Sequence, residues 1–195
     1  MAGWMAVIAP FVDIDRVEEH RDEVVVADCR WYMDGRSGRA AYEAGHVPGA
    51  VFVDLDTALT RPADPAAAGR HPLAEPDAFA AAMGALGIDD DDTVIAYDDA
   101  GGVIAARLVW MLRVTGHEAA LLDGGLDAWR GELATGPEAR EPTAFGARPW
   151  PAERLVSVDE VAAISRAASG VPGGDRAAAG PDRSATAPPT SAPVL

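Results

Sequence analysis

The stretch that decides the fold reads Thr-Val-Ile-Ala-Tyr at 93–97, Asp98-Asp99-Ala100-Gly101-Gly102, and then an amphipathic segment at 103–115. The first part is a short apolar run typical of a buried strand, and the amphipathic spacing predicts a helix that ends before Gly116. The loop between them has amides that can point at an anion at the helix N-terminus. Such loops lie at the carboxyl edge of an α/β sheet, where ligands bind. The unit therefore predicts an α/β fold and a loop of active-site shape.

The first loop position holds an acid instead of a nucleophile. A catalytic loop of this shape would carry a thiol there, because the amides and the helix dipole lower the pKa of a thiol. Asp98 occupies that position and Asp99 follows it. Two carboxylates would repel an anionic ligand. We therefore interpret the loop as a solvated acidic turn that caps the helix, and not as an anion-binding site.

Strands and helices are predicted to alternate on both sides of this unit. Apolar runs at 23–28, 50–53 and 118–122 predict buried strands, and helices are expected at 39–44, from Pro76 to about Gly84, and at 126–130. The proline-rich segment 60–75 is expected to be a surface loop. This alternation predicts an α/β domain of three layers, with a central, mostly parallel sheet flanked by helices.

Composition excludes several classes of partner. The net charge of -15 provides no basic field for nucleic acid or an anionic membrane surface. No apolar run approaches the roughly 20 residues of a membrane span, and residues 1–10 lack the basic region of a signal peptide. A single cysteine, Cys29, excludes an internal disulfide framework and favours the cytoplasm.

No metal or cofactor is expected. One cysteine and four scattered histidines lack the spacing of a metal-binding motif. Gly101-Gly102 is too short to be a dinucleotide fingerprint.

The chain repeats a short pattern after its first domain. Residues 155–161 (LVSVDEV) copy the form of residues 11–17 (FVDIDRV), an offset of 155 − 11 = 144. We therefore expect a domain at 10–135, a linker rich in Pro, Gly, Glu and Arg at 136–154, and the start of a second copy at 155–166. The composition of residues 167–195 predicts a disordered C-terminal tail.

Four blocks carry a resemblance to a known family: DCRW at 28–31, YEAGHVPGAVFVDLD at 42–56, VIAYDDAGGVIAARLVWMLR at 94–113 and LLDGGLDAW at 121–129. Together they resemble the rhodanese family, and more narrowly the N-terminal half of two-domain thiosulfate and 3-mercaptopyruvate sulfurtransferases. The resemblance implies a rhodanese-like fold. It also implies a facing C-terminal domain whose loop cysteine accepts sulfur as a persulfide and passes it to a thiol or cyanide.

In that family the N-terminal domain has Asp after the tyrosine, as at Asp98. The offset projects the cysteine to about 98 + 144 = 242, beyond Leu195. We therefore expect a truncated or frame-shifted tandem enzyme that is inactive alone. Its expected partners are a small sulfur-containing anion in the intact parent enzyme and the C-terminal rhodanese domain.

The same resemblance selects residues for the interdomain cleft. His71 matches a histidine that turns toward the cleft, and Asp56 matches an acid proposed to orient it. Such a pair can transfer a proton, and Arg70 could attract an anionic donor. The alternative for His71 is a surface histidine in a proline-rich loop.

Other conspicuous residues are expected to be structural. Cys29 is interpreted as a small buried hydrophobe, His46 as a brace of the GHVPGA loop, and Trp31, Trp110 and Trp129 as packing residues.

Two other functions compete with the sulfurtransferase half. A non-enzymatic rhodanese module would fold and bind a partner without sulfur transfer. A phosphatase relative would need a loop cysteine followed by an arginine, and Asp98 and Gly102 count against it.

Overall fold

A parallel sheet forms the centre of the domain in a computed structural model that describes residues 8–62 and 69–169. Among these residues the strands run in the order β1-β5-β4-β2-β3, and every pair is parallel. Their bounds are β1 Phe11–Val12, β2 Val24–Asp28, β3 Val51–Phe52, β4 Thr93–Tyr97 and β5 Ala119–Leu122.

Helices cover both faces of this sheet. They are α1 Ile14–Glu19, α2 Gly38–Ala44, α3 Leu55–Ala58, α4 Pro76–Ala85 and α5 Ala105–Val114, with single 3-10 turns at Arg21–Glu23, Gly125–Ala128 and Ala152–Arg154. Successive side chains of a strand point to opposite faces. Val25 and Ala27 therefore pack in the core with α4 and α5, whereas Val24 and Val26 pack in the core with α1. The predicted three-layer α/β fold is confirmed.

The predicted elements differ from the structure mainly at their ends. Strand β4 has the predicted bounds, but α5 begins at Ala105 instead of 103, because Gly101 and Gly102 have φ of 74° and 84° and extend the loop. The segment 126–130 forms only the 3-10 turn, and Trp129 lies beyond it in extended conformation. Helix α3 was not predicted, although the Asp54 side chain caps it.

The segment expected to be a linker packs on the domain, and the first compact unit extends to Arg154. Residues 137–151 have no helix or strand, but they are tied down by hydrogen bonds. Thr143 N–H donates to Gly84 O and Trp150 Nε1 to Ala74 O, and Phe145 packs against the core. Composition showed that the segment lacks periodic structure, but it did not show these contacts. We call residues 137–151 the strap.

A second unit begins at Leu155 and contains α6 Val158–Ser169. Ser157 Oγ accepts the N–H of Glu160, as Asp13 accepts the N–H of Arg16 at the start of α1. Helix α6 includes the first three residues of the segment expected to be disordered, and residues 170–195 lie outside the described residues. Within the described part of the chain, no helix is both long and apolar enough to cross a membrane.

Candidate functional site

The loop after β4 is filled by the side chain of its own first residue. Asp98 is completely buried, and its carboxylate accepts four backbone N–H groups. Oδ1 binds Ala100 N at 2.8 Å and Gly102 N at 2.7 Å, and Oδ2 binds Ile104 N at 2.8 Å and Ala105 N at 2.9 Å. The predicted solvated acidic turn is therefore wrong in one respect: Asp98 caps the helix, but from inside the loop. The amides that could cradle an external anion already bind this one.

A second loop closes over Asp98 from the carboxyl end of β5. Leu126 N–H donates to Asp98 O at 2.9 Å. Gly125 has φ of 58°, and a Cβ atom there would lie 2.4 Å from Asp98 O. This close approach of two backbones requires glycine at position 125, the second glycine of the GGLDAW segment.

A buried polar network lies beneath the loop. Tyr97 Oη donates to Asp28 Oδ2 at 2.8 Å and accepts Val47 N–H at 3.1 Å. Arg30 pairs with Asp28 at 2.7 Å and donates to Gly45 O at 2.7 Å. Burial, followed by the charge of Asp28, raises the pKa of Tyr97 far above its usual range. The network joins the ends of β2 and β4 to the GHVPGA segment and fixes the base of the loop.

The expected structural roles of two residues are confirmed. His46 is buried, and its Nδ1 lies 2.8 Å from Tyr42 O. Because a carbonyl only accepts, Nδ1 donates and braces the loop. Cys29 is fully buried in the core, where burial, and then the charges of Asp28 and Asp98, raise the pKa of its thiol. A buried neutral thiol is a poor nucleophile.

The three cleft candidates meet around one tryptophan. His71 Nε2 lies 3.1 Å from Asp56 Oδ1, and Trp31 Nε1 donates to Asp56 Oδ2 at 3.0 Å. The ring of Trp31 contacts His71 edge to face at 5.1 Å, and the Arg70 guanidinium lies 5.8 Å from the centre of the Trp31 ring. Assigning Trp31 to packing alone was incomplete, because it also binds a site residue.

An arginine on α5 holds the backbone of this cluster. Arg107 donates from Nη2 to His71 O at 2.9 Å and to Leu59 O at 3.0 Å. Desolvation lowers the pKa of this half-buried guanidinium. Sequence reasoning did not select Arg107, and its position on the helix after the loop was the only available signal.

A shallow groove of about 350 Å³ is lined by Trp31 of the cluster and by Ala100 of the loop. Tyr32, which lines the groove, donates from Oη to Asp99 Oδ2 at 2.7 Å. Met33 and Val103 are 80% and 72% exposed at its rim. Asp99 is thus exposed, whereas Asp98 is buried. Among the described residues, no group of His, Cys, Asp and Glu side chains could hold a metal ion.

The sequence of this chain is similar to that of known sulfurtransferases. The rhodanese-like domain family matches residues 14–132. The chain therefore belongs to the rhodanese-like domain family. Over 126 residues it is 40% identical to thiosulfate/3-mercaptopyruvate sulfurtransferase 2 of Arabidopsis thaliana, covering 62% of this chain and 36% of that protein. It is 39% identical over 126 residues to 3-mercaptopyruvate sulfurtransferase of Escherichia coli K12, covering 62% of this chain and 43% of the relative.

The crystal structure of SseA, a 3-mercaptopyruvate sulfurtransferase from Escherichia coli, superposes with a TM-score of 0.72 at 32% identity. This match covers 83% of this chain and 64% of SseA. The chain spans less than half the length of the curated relatives it matches. It is thus a rhodanese-like domain related to the 3-mercaptopyruvate and thiosulfate sulfurtransferases.

Proposed function

We propose that this domain is the nucleophile-free half of a two-domain sulfurtransferase that moves sulfane sulfur from 3-mercaptopyruvate or thiosulfate to a thiol or cyanide. A second rhodanese-like domain supplies the loop cysteine. This half supplies one wall of the cleft, with Asp56, Arg70 and His71 toward the substrate. By itself it carries out no sulfur transfer.

The buried carboxylate of Asp98 is the observation that carries this proposal. In a catalytic loop, converging amides would stabilise a thiolate or persulfide. Here four amides are saturated by Asp98, and no thiol lies in the loop. The only cysteine, Cys29, is buried in the core.

The start of α6 supports the existence of a second repeat. Ser157 and Glu160 form reciprocal hydrogen bonds at its N-terminus, at positions that correspond to Asp13 and Arg16 by the 144-residue offset. In α1 the apolar residues Ile14 and Val17 are buried, whereas Val158 and Val161 at the corresponding positions of α6 are 84% and 51% exposed. We infer that the apolar face of α6 that contains Val158 and Val161 packs against the sheet of a second rhodanese-like domain.

Turnover assays test the proposal. The purified chain is incubated with thiosulfate or 3-mercaptopyruvate and cyanide, and thiocyanate is measured. We expect no turnover by the chain alone and turnover when a cysteine-bearing C-terminal rhodanese domain of a relative is added. The matched control is that C-terminal domain alone, which should be less active than the mixture.

Two outcomes would contradict the proposal. Turnover by the chain alone that disappears in Cys29→Ser would make Cys29 the nucleophile. A mixture no more active than the C-terminal domain alone would mean that this half contributes nothing to the cleft.

The alternative is a non-enzymatic rhodanese module that binds a partner. The observation that favours it is the groove, whose rim exposes Met33 and Val103, because exposed apolar side chains often mark interaction sites. This function predicts that Met33→Ser with Val103→Ser weakens partner binding and that no added domain restores turnover. The single cysteine suits the cytoplasm in either case.

A further inference from the structure

Trp31 contacts all three residues that are expected to face the interdomain cleft, Asp56, Arg70 and His71. Its indole N–H donates to Asp56, its ring edge contacts His71, and the Arg70 guanidinium lies over its face. The Trp31 ring is partly buried and packs against the core, which restricts its motion more than that of the exposed side chains around it. The side chain of Asp56 is 58% exposed, and that of His71 is 22% exposed. Among the described residues, Trp31 is the one hydrogen-bond donor to Oδ2 of Asp56.

The contacts divide the two oxygens of Asp56 between two donors. An indole nitrogen can only donate, and an ionised carboxylate can only accept. Trp31 therefore holds Oδ2, which leaves Oδ1 directed at His71 Nε2 at 3.1 Å. The proton of the neutral imidazole must then be on Nε2, and Nδ1 is left as a proton acceptor. The Asp56 carboxylate therefore sets the tautomer of His71, and Trp31 contributes by holding that carboxylate in place.

The main chain of His71 is held independently. Arg107 binds His71 O, so the backbone at His71 is anchored to α5 whatever the side chain does. The freedom that remains is rotation of the imidazole, and its edge-to-face contact with Trp31, at an interplanar angle of 89°, limits that rotation.

We propose that Trp31 is a positioning residue that orients the Asp56–His71 pair and keeps Nδ1 of His71 free to accept a proton. The catalytic use of the pair rests on the proposed function, whereas the orientation itself does not. Trp31 does not touch the reacting atoms in this account, and it acts through Asp56.

Nitrogen-15 correlation spectra of the histidine rings test this proposal on the full chain. Spectra are recorded at about pH 9, where an ordinary imidazole is neutral. Wild type should show His71 with the proton on Nε2. In Trp31→Phe, which keeps an aromatic ring but loses the donor, Asp56 is no longer held toward His71. The fraction with the proton on Nδ1 should rise several-fold, up to about tenfold if the Asp56–His71 hydrogen bond is lost entirely.

Trp129→Phe is the matched control, because Trp129 also donates through its indole nitrogen, to Glu132 O at 3.1 Å. It should leave the His71 pattern unchanged. An unchanged pattern in Trp31→Phe, or an equal change in Trp129→Phe, would overturn the proposal.

If Trp31→Phe fails to fold, Asp56→Ala tests the same contact by removing the acceptor of the Trp31 indole N–H. The indole proton of Trp31 should then shift upfield and exchange faster with solvent, and an unchanged indole signal would overturn the proposal. Neither measurement involves turnover, so a failure of the proposed sulfur transfer remains distinct from a failure of this orientation. In a reconstituted two-domain enzyme, Trp31→Phe should lower kcat with little change in KM, whereas a purely structural defect would lower the amount of folded protein.

Discussion

Replacing Asp98 by asparagine removes one carboxylate oxygen from the loop and puts a donor in its place. Two backbone N–H groups then face the new amide nitrogen, either those of Ala100 and Gly102 or those of Ile104 and Ala105. A hydrogen bond to a charged group contributes about 1.5–3 kcal/mol, so the loss of two should cost roughly 3–6 kcal/mol. Because Ala100 is exposed and water can replace part of this loss, we expect a destabilisation of about 3 kcal/mol.

Urea unfolding followed by tryptophan fluorescence measures this difference. The matched control is Asp99→Asn, a neighbouring acid on the same loop whose side chain is exposed and accepts one hydrogen bond from Tyr32. The control should lose less than about 1 kcal/mol. Free energies of unfolding of Asp98→Asn and Asp99→Asn that lie within about 0.5 kcal/mol of each other would refute this prediction.

Three further predictions concern other parts of the domain. Gly125→Ala places a methyl group against the backbone oxygen of Asp98. Its loss in free energy of unfolding should be several times the roughly 1 kcal/mol expected for Gly136→Ala, a position that also has positive φ but has open space around it. Equal losses for the two variants in urea unfolding would contradict this prediction. The pKa of Asp90 is lowered, chiefly by the hydrogen bond from His117, so its stabilising contribution is complete above about pH 5 and is lost as the pH falls through the lowered value. In Asp90→Asn the melting temperature should therefore fall less steeply as the pH is lowered below about 5. A pH dependence equal to that of the wild type would contradict this prediction. Because burial raises the pKa of Cys29, a thiol reagent at about pH 8 should label it far more slowly in the folded protein than in urea; equal rates would show that the thiol is accessible.

Local signals predicted β2, β3, β4 and β5, whereas the two-residue strand β1 was not predicted. The β-branched and apolar runs that became β2 and β4 are buried on both faces, and the turn residues between them were conspicuous. The weakest predictions were those that depended on contacts distant in sequence. Trp129 follows a single 3-10 turn because the chain must bend to bring Leu126 N–H to Asp98 O.

The direction of the Asp98 side chain could not be read from the sequence. From the sequence, the side chains of the two adjacent acids are equally expected to be exposed to solvent. In the structure Asp98 is buried among four amides, whereas Asp99 is exposed. The distinction arises because Gly101 and Gly102 have positive φ, which turns the following amides inward. Such convergence is a property of the folded loop.

The cluster of Asp56, Arg70 and His71 was selected by resemblance, and the structure brings the three side chains together around Trp31. Its use in a cleft is still a prediction. Trp31 itself could have been suspected, because it lies three residues beyond the end of β2, at the sheet edge where ligands bind. The packing of the strap had no comparable signal, since it depends on Gly84 leaving space for Thr143 O.

Intact mass measurement after incubation with thiosulfate or 3-mercaptopyruvate tests most directly whether this domain lacks the nucleophile. A persulfide adds the mass of one sulfur atom to the chain that carries it. We predict that the mass of this chain is unchanged and that an added cysteine-bearing rhodanese domain gains the sulfur in the same mixture. A gain of one sulfur atom on this chain, absent in Cys29→Ser, would contradict the account.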